Sequence, residues 1–159
     1  MEKVNSIQMK IKISLIFFLF FSYSVSFSES YIKASNGITW DKNNMTYSAE
    51  GNVEFQNDEI KAYANKIKAF YNIKNEKEVF EVVNLDTDVQ IYYNDEIFKS
   101  NSATYNKLNS LITLYGDVSI VSPERYLSGD ELIVDLKNNT RTLKTIGKDS
   151  LAEALIKDE

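Results

Sequence analysis

The sequence of 159 residues contains no histidine and no cysteine. Catalytic arrangements that need an imidazole base or a thiolate nucleophile are therefore excluded, and the usual zinc ligands are missing as well. No disulfide can form, so strand pairing and apolar burial must stabilise the fold. Hydrophobic residues make up 43% of the chain and aromatic residues 13%, which is sufficient for a core.

Carboxylates are the groups that remain for catalysis, since glycoside hydrolysis needs two of them at a defined separation. The candidates are Asp86 with Asp88 and the adjacent pairs Asp58/Glu59, Asp95/Glu96 and Asp130/Glu131. Each pair lies beside a predicted turn or at a strand end, where solvated acidic side chains are common. We therefore predict that the protein is not an enzyme and that it needs neither a cofactor nor a metal ion.

Positive charge is scarce in this chain, which has 18 basic and 23 acidic residues and a net charge of −5. The segment 1–28 holds three lysines and one glutamate, so the remainder of the chain is more acidic still, with a net charge of −7. The sequence has no Lys/Arg cluster of the kind that nucleic-acid binding requires. No nucleic-acid partner is therefore predicted.

The segment 1–28 has the layout of a signal peptide. Lys3, Lys10 and Lys12 form a basic head, residues 13–21 are an apolar run broken by one serine, and residues 24–28 are rich in serine. The stretch from Ile13 to Phe27 is shorter than the roughly 18 to 20 residues that span a bilayer. We predict a cleaved signal peptide over residues 1–28 and export of the protein through the inner membrane. An uncleaved inner-membrane anchor is the alternative.

Apolar and polar residues alternate with period two between residues 98 and 143, which is typical of strands with one buried face. Gly116-Asp117 and the segment around Pro123 are predicted to form the turns between these strands. Earlier in the chain, Asn36-Gly37 predicts a hairpin between two short strands. The sequence thus predicts one all-β domain over residues 29–147.

A sequence unit of the form small-x-x-apolar-x-apolar occurs four times. The copies start at Ser35, Ala64, Ser100 and Gly129, so the first and last intervals are equal and the middle interval is longer. The longer interval places an insertion near residues 72–77, which we interpret as a longer hairpin with a polar tip. A sequence unit that repeats at a nearly constant spacing indicates a fold of stacked supersecondary units.

A second repeated feature is a valine, which occurs at Val53, Val89 and Val118. The spacing from Val53 to Val89 equals the longer interval of the first repeat, and the spacing from Val89 to Val118 equals the shorter one. Two of these valines follow a glycine and an Asn or Asp, in Gly51-Asn52-Val53 and Gly116-Asp117-Val118. Together with the closing segment of residues 127–136, this pattern resembles the OstA-like family over residues 32–143. The sequence departs from the family at Thr87-Asp88, where glycine is usual.

The resemblance implies a folded-over β-jellyroll built from about four repeats of short antiparallel strands. It also implies that the protein, like the soluble periplasmic members of the family, carries lipopolysaccharide by its lipid A part from the inner to the outer membrane as part of a transport bridge. The alternatives within the family are a membrane-anchored partner and an amino-terminal domain of the outer-membrane OstA protein. From other classes, a carbohydrate-binding β module or a β-helix polysaccharide enzyme would need exposed aromatic ladders or converging acids.

The alternation of the strands predicts which side chains face inwards and could line a lipid-binding groove. These are Val53, Phe55, Ile60, Ile67, Val89, Ile91, Phe98, Tyr105, Ile112, Leu114, Val118, Ile120, Leu127, Leu132 and Val134. The alternative is that they only fill the core that any two-layer β domain requires.

A sheet that folds over without closing has unpaired edges, which we expect at residues 31–34 and 140–146. We predict that such edges pair with related β-jellyroll domains of inner- and outer-membrane proteins, and with other copies of this chain in head-to-tail oligomers. Beyond the sheet, Ser150 and Glu153 have capping-box spacing ahead of apolar residues. The tail of residues 148–159 is therefore predicted to be a short helix or disordered.

Overall fold

The computed structural model describes residues 29–147 and 151–157, so the predicted signal peptide lies outside the described residues. Within these residues the chain forms ten strands and no helix, which confirms the all-β prediction. The strands are β1 (Tyr31–Lys33), β2 (Ile38–Asp41), β3 (Thr46–Gln56), β4 (Lys61–Lys74), β5 (Lys77–Tyr93), β6 (Glu96–Asn106), β7 (Leu111–Val121), β8 (Arg125–Asp135), β9 (Thr140–Lys144) and β10 (Glu153–Ile156).

All ten strands belong to one antiparallel sheet in which β3 to β8 follow each other in chain order. Each end of the sheet is made of two short strands, since β1 and β2 both pair with β3, and β9 and β10 both pair with β8. Both segments predicted to be edges therefore lie at the ends of the sheet. Because the sheet does not close on itself among the described residues, these edges retain unpaired backbone groups within that part of the chain.

The Gly116-Asp117 pair lies inside β7, which corrects the prediction of a turn between two strands. The pairing of β7 with β8 is interrupted between Tyr115 and Val118, and both intervening residues have positive φ angles, of 75° and 48°. Two residues thus oppose one on the neighbouring strand, which is a β-bulge that bends the strand without ending it. Glycine is favoured there because a Cβ at residue 116 would lie 2.8 Å from the Asn101 side chain.

The same bulge recurs in β3 and β5, and this explains the sequence repeat. Gly51-Asn52 and Thr87-Asp88 also have positive φ angles at breaks in the register, so Thr87 adopts at φ 65° the geometry that glycine provides elsewhere. In the last three copies the small residue that starts the copy pairs with the valine after the bulge, as Ser100 does with Val89. The repeats therefore mark one row of bulges across the sheet, which we call the fold line.

The fold line divides the sheet into two layers that pack face to face. The first layer contains β1, β10 and residues 53–56, 61–64, 89–93, 96–100, 118–121 and 125–129. The second layer contains β2, β9 and residues 46–50, 66–74, 77–86, 102–106, 111–115 and 131–135. Their inner faces form one core, in which the rings of Phe55 and Phe80 meet across the layers at 5.7 Å.

Asn36-Gly37 does not form the predicted hairpin, because β1 and β2 do not pair with each other. Instead the chain continues along β3 past its bulge, and the backbone N–H groups of Ser35 and Asn36 donate to the carbonyl oxygens of Gly51 and Glu50 at 2.8 and 3.0 Å. The edge of the sheet must accommodate the bulge of β3. The backbone at Asn36-Gly37 therefore leaves the regular strand conformation, and the chain continues along β3 without reversing its direction.

The insertion forms the predicted hairpin, since β4 and β5 pair up to Lys74 and Lys77 around Asn75-Glu76. The tail differs from its prediction. Residues 153–156 form β10, so the expectation of a helix or of disorder is wrong for them. The open edge of β8 satisfies the backbone groups of this segment, whereas a helix this short is marginal in water.

Candidate functional site

The predicted inward-facing residues come together in the interior of the two-layer fold. All fifteen belong to or pack against one hydrophobic cluster, and fourteen of them have exposed fractions of only 0–3%, while Leu127 is partly buried. They therefore face inwards as the alternation indicated, while their part in binding lipid stays a prediction. Because these residues are closed to solvent, the accessible part of any binding site must lie at the margin of this interior.

That margin is an open cavity of about 650 Å³ beside the β1 and β2 edge. Its apolar lining includes Ile32, Ile38, Tyr47, Val79 and Phe80, none of which is among the predicted groove residues. Ile32, Tyr47 and Phe80 also pack against the buried cluster, so the apolar lining of the cavity adjoins the core. We call this cavity the mouth of the interior.

Four aromatic rings form a row that includes two mouth residues, Tyr47 and Phe80, and we call them the aromatic path. Trp40 stacks on Tyr47 at 5.8 Å with an interplanar angle of 5°, Tyr47 contacts Phe80 edge-on at 5.6 Å, and Phe80 contacts Phe55 at 5.7 Å. Trp40 is 46% exposed and Phe55 is fully buried. The path therefore runs from solvent to the centre of the interior, with ring arrangements that are favourable for aromatic pairs.

Hydrogen bonds hold two rings of the aromatic path in place. The Trp40 indole N–H donates to the Tyr71 hydroxyl at 2.9 Å, and the Tyr47 hydroxyl donates to the Glu78 carboxylate at 2.7 Å. Burial, together with this bond to Glu78, raises the pKa of Tyr47 to about 12. Its hydroxyl therefore stays protonated at neutral pH and remains a donor. Lys42 lies 4.3 Å from the centroid of the Trp40 ring, a cation–π contact.

A second cavity, of about 330 Å³, lies near the turns that follow β5, β7 and β8, and it is polar. It is lined by Glu96 and Arg141, which form an ion pair that joins the two layers. The Arg141 guanidinium also lies 5.7 Å from the centroid of the Tyr93 ring. This cavity offers no apolar surface comparable with the mouth.

The acidic pairs that could have served catalysis have structural partners. Asp58 contacts Lys107, Glu96 contacts Arg141, and Asp88 accepts a hydrogen bond from Asn65. Over residues 29–147 and 151–157, no group of three acidic side chains is placed to hold a metal ion. No helix that could cross a membrane occurs in the part of the chain that the structure describes.

Comparisons with known proteins agree with this architecture. The family described as "LptA/(LptD N-terminal domain) LPS transport protein" matches residues 31–140. A search of the curated proteins finds no similar sequence. Among solved structures, the fold is similar to that of LptH from Pseudomonas aeruginosa, with a TM-score of 0.70 and 11% sequence identity over 82% of this chain and 96% of LptH. LptH is described as the LptA-homologous periplasmic component of the lipopolysaccharide transport device. The expected folded-over jellyroll is thereby confirmed.

Proposed function

This chain belongs to the LPS transport protein family that comprises LptA and the N-terminal domain of LptD, and we propose that it is a periplasmic carrier of lipopolysaccharide between the inner and outer membranes. The carrier binds the lipid A part non-covalently and catalyses no reaction. No cofactor is needed, because the binding energy comes from removing acyl chains from water.

The observation that supports this proposal is that the apolar lining of the mouth packs directly against the apolar interior. Acyl chains that enter along the aromatic path leave water for an apolar surface, which contributes about 0.8 kcal/mol for each CH₂ group. Phosphorylated sugars would remain in solvent, since burying a charged group without a partner is costly. Polar groups at the rim and apolar rings inside fit a ligand that is amphipathic in this sense.

Co-purification tests the proposal. We expect the protein isolated from the periplasm of a Gram-negative host to carry lipopolysaccharide, detected by mass spectrometry of an organic extract. A control protein of similar size and charge that is exported to the same compartment should carry none. Recovery of the protein free of lipid under conditions that preserve its fold, with no uptake of added lipopolysaccharide, would contradict the function.

Export is proposed to remove the predicted signal peptide. We expect the mature protein to begin between Ser24 and Tyr31, because the basic head, apolar run and serine-rich end occur in the order that signal peptidase requires. Amino-terminal sequencing of the periplasmic protein measures this directly. An intact Met1 in the membrane fraction would instead indicate the anchored form.

Assembly is proposed to use the two open edges of the sheet. The edge formed by β1 and β2 can pair with the edge formed by β9 and β10 of another copy, which is a heterologous contact that extends without closing. Such pairing would align successive interiors, because each edge borders the same apolar cluster through Ile32 and Leu143. The same edges are proposed to pair with related jellyroll domains in inner- and outer-membrane partners.

Leu143→Pro should weaken this assembly. Leu143 lies on the outermost strand β9 and pairs with Leu132, and proline removes a backbone donor that an internal strand needs. We expect light scattering over a wide concentration range to show head-to-tail growth of the mature protein, and an association about tenfold weaker for the variant. Leu143→Ala keeps the N–H group and is the control. A constant monomer mass at all concentrations, or equal growth by a folded proline variant, would rule out edge pairing.

A further inference from the structure

The interior is closed in this structure, which raises the question of how an acyl chain enters it. The side chains that would surround the chain are packed against one another, with exposed fractions near zero. An acyl chain of any length can replace these contacts only if the two layers move apart. Contacts that join the layers near the mouth therefore oppose entry.

One polar cluster makes such contacts. The turn between β3 and β4 belongs to the first layer, and the end of β6, with the turn residue that follows it, belongs to the second. Across them, the Lys107 ammonium contacts the Asp58 carboxylate at 2.6 Å, and the Tyr105 hydroxyl donates to the Glu59 carboxylate at 2.5 Å and accepts from the Asn57 amide at 3.1 Å. We call these five residues the polar latch.

The latch is held rigid on its turn side. The Asn57 side-chain oxygen accepts from the backbone N–H groups of Glu59 and Ile60 at 2.9 and 2.8 Å, so the turn presents its acidic side chains in a fixed direction. On the other side, the Tyr105 ring is fully buried in the core and only its hydroxyl reaches the latch. Burial, with the bond to Glu59, raises the pKa of Tyr105, which keeps this hydroxyl a donor.

The latch also borders the mouth. Asp58 and Lys107 line the same cavity as Ile32 and Phe80. The second contact between the layers, Glu96 with Arg141, lies in the separate polar cavity and does not line the mouth. The place where the aromatic path enters the interior is therefore the place where polar contacts hold the layers together.

We propose that the polar latch keeps the empty carrier closed and opens when an acyl chain enters from the mouth. The inference rests on the proposed lipid-carrier function. Lys107 and Asp58 are partly exposed, so water can solvate both groups once they separate. If only the open form binds lipid, the measured dissociation constant equals that of the open form divided by the open fraction. Weakening the latch should then tighten binding, and locking it should prevent binding.

The chain lacks cysteine, so a specific cross-link can replace the ion pair. The variant Asp58→Cys/Lys107→Cys is titrated with pyrene-labelled dodecanoate before and after treatment with a short bismaleimide. We expect the unlinked variant to bind about fivefold more tightly than the wild type, because loss of a partly exposed ion pair changes an equilibrium by about this factor. The cross-linked variant should bind at least about tenfold more weakly than the unlinked one.

A matched control is Glu50→Cys/Lys66→Cys. These residues form an ion pair of 3.5 Å between neighbouring strands of the second layer, so a link between them leaves the layers free to separate. Its affinity for the probe should be unchanged by cross-linking. Should the latch variant fail to fold, Lys107→Gln carries the same test, and about threefold tighter binding supports the latch whereas unchanged affinity overturns it.

The possible results distinguish a failure of the latch proposal from a failure of the lipid-carrier function on which it rests. Equal probe binding by the linked and unlinked latch variants would overturn the latch while leaving the carrier function intact. Weaker binding by the unlinked variant than by the wild type would also overturn it, because the open form would then not be the binding form. Absence of probe binding in every protein, including the wild type, would overturn the carrier function and the latch with it.

Discussion

Val118→Asp is expected to lower the free energy of unfolding by about 3–5 kcal/mol and to abolish lipid binding, because it places an unpaired carboxylate in an apolar interior. Val118 is 1% exposed and follows the bulge of β7 on the inner face. Its strand neighbour Gly129 has no side chain that could pair with the new charge. The carboxylate would also repel an acyl chain inside the interior. Urea denaturation and titration with lipopolysaccharide measure the two effects.

Ser119→Asp is the matched control, because it adds the same group one residue further along the same strand. Ser119 lies on the outer face and pairs with Lys99, which is a favourable neighbour for an acidic side chain. We expect its unfolding free energy to stay within about 0.5 kcal/mol of the wild type, as for most surface substitutions. Similar losses at both positions would show that the assignment of inner and outer faces in β7 is wrong.

Arg141→Met is the second substitution for which we expect a large effect, a destabilisation of about 3–5 kcal/mol. The Arg141 Nε donates to Glu96 Oε2 at 2.9 Å, a second guanidinium nitrogen contacts the same oxygen, and the side chains are only 17% and 14% exposed. Removing the arginine leaves the Glu96 carboxylate largely buried without its cation. Chemical denaturation at neutral pH measures the loss.

A double-mutant cycle isolates the pair. Glu96→Gln in the Arg141→Met background should recover most of the lost stability, because a neutral amide costs less to bury than a carboxylate. We expect a coupling energy above about 1.5 kcal/mol. Additive effects would show that the ion pair does not join the two layers energetically, and that the loss comes from other contacts of Arg141, such as those with Tyr93 and Asn139.

The inner face could be predicted from the sequence because β7 keeps the period of two across its bulge. Ile112 and Leu114 precede the bulge and Val118 and Ile120 follow it, and all four point inwards because Val118 follows Leu114 by an even step along the chain. An even step leaves the alternation intact. The position of the bulge is therefore invisible in the hydrophobic pattern, and the Gly-Asp pair gives the same signal as a turn.

Other features depend on contacts between distant segments. Phe80 faces inwards although it lies an odd number of residues before the inward-facing Val83 and Leu85. The reason is that the register between β4 and β5 shifts opposite Phe70 and Tyr71. No local pattern predicts that shift, so the alternation does not identify Phe80 as inward-facing. β10 forms because the edge of β8 is available to it, whereas its own sequence has helix-start spacing. The choice between pairing and helix is decided by the rest of the sheet.

Site-specific photo-cross-linking in the periplasm tests the central claim, that lipopolysaccharide enters through the mouth into the interior. The photoreactive residue p-benzoylphenylalanine replaces Tyr47, in the middle of the aromatic path, or Thr104, which lies on the outer face of β6 and bonds to Asn84. We predict that irradiation attaches lipopolysaccharide to the protein labelled at position 47 and not to the protein labelled at position 104. Attachment at position 104 alone, or equally at both positions, would contradict binding in the interior.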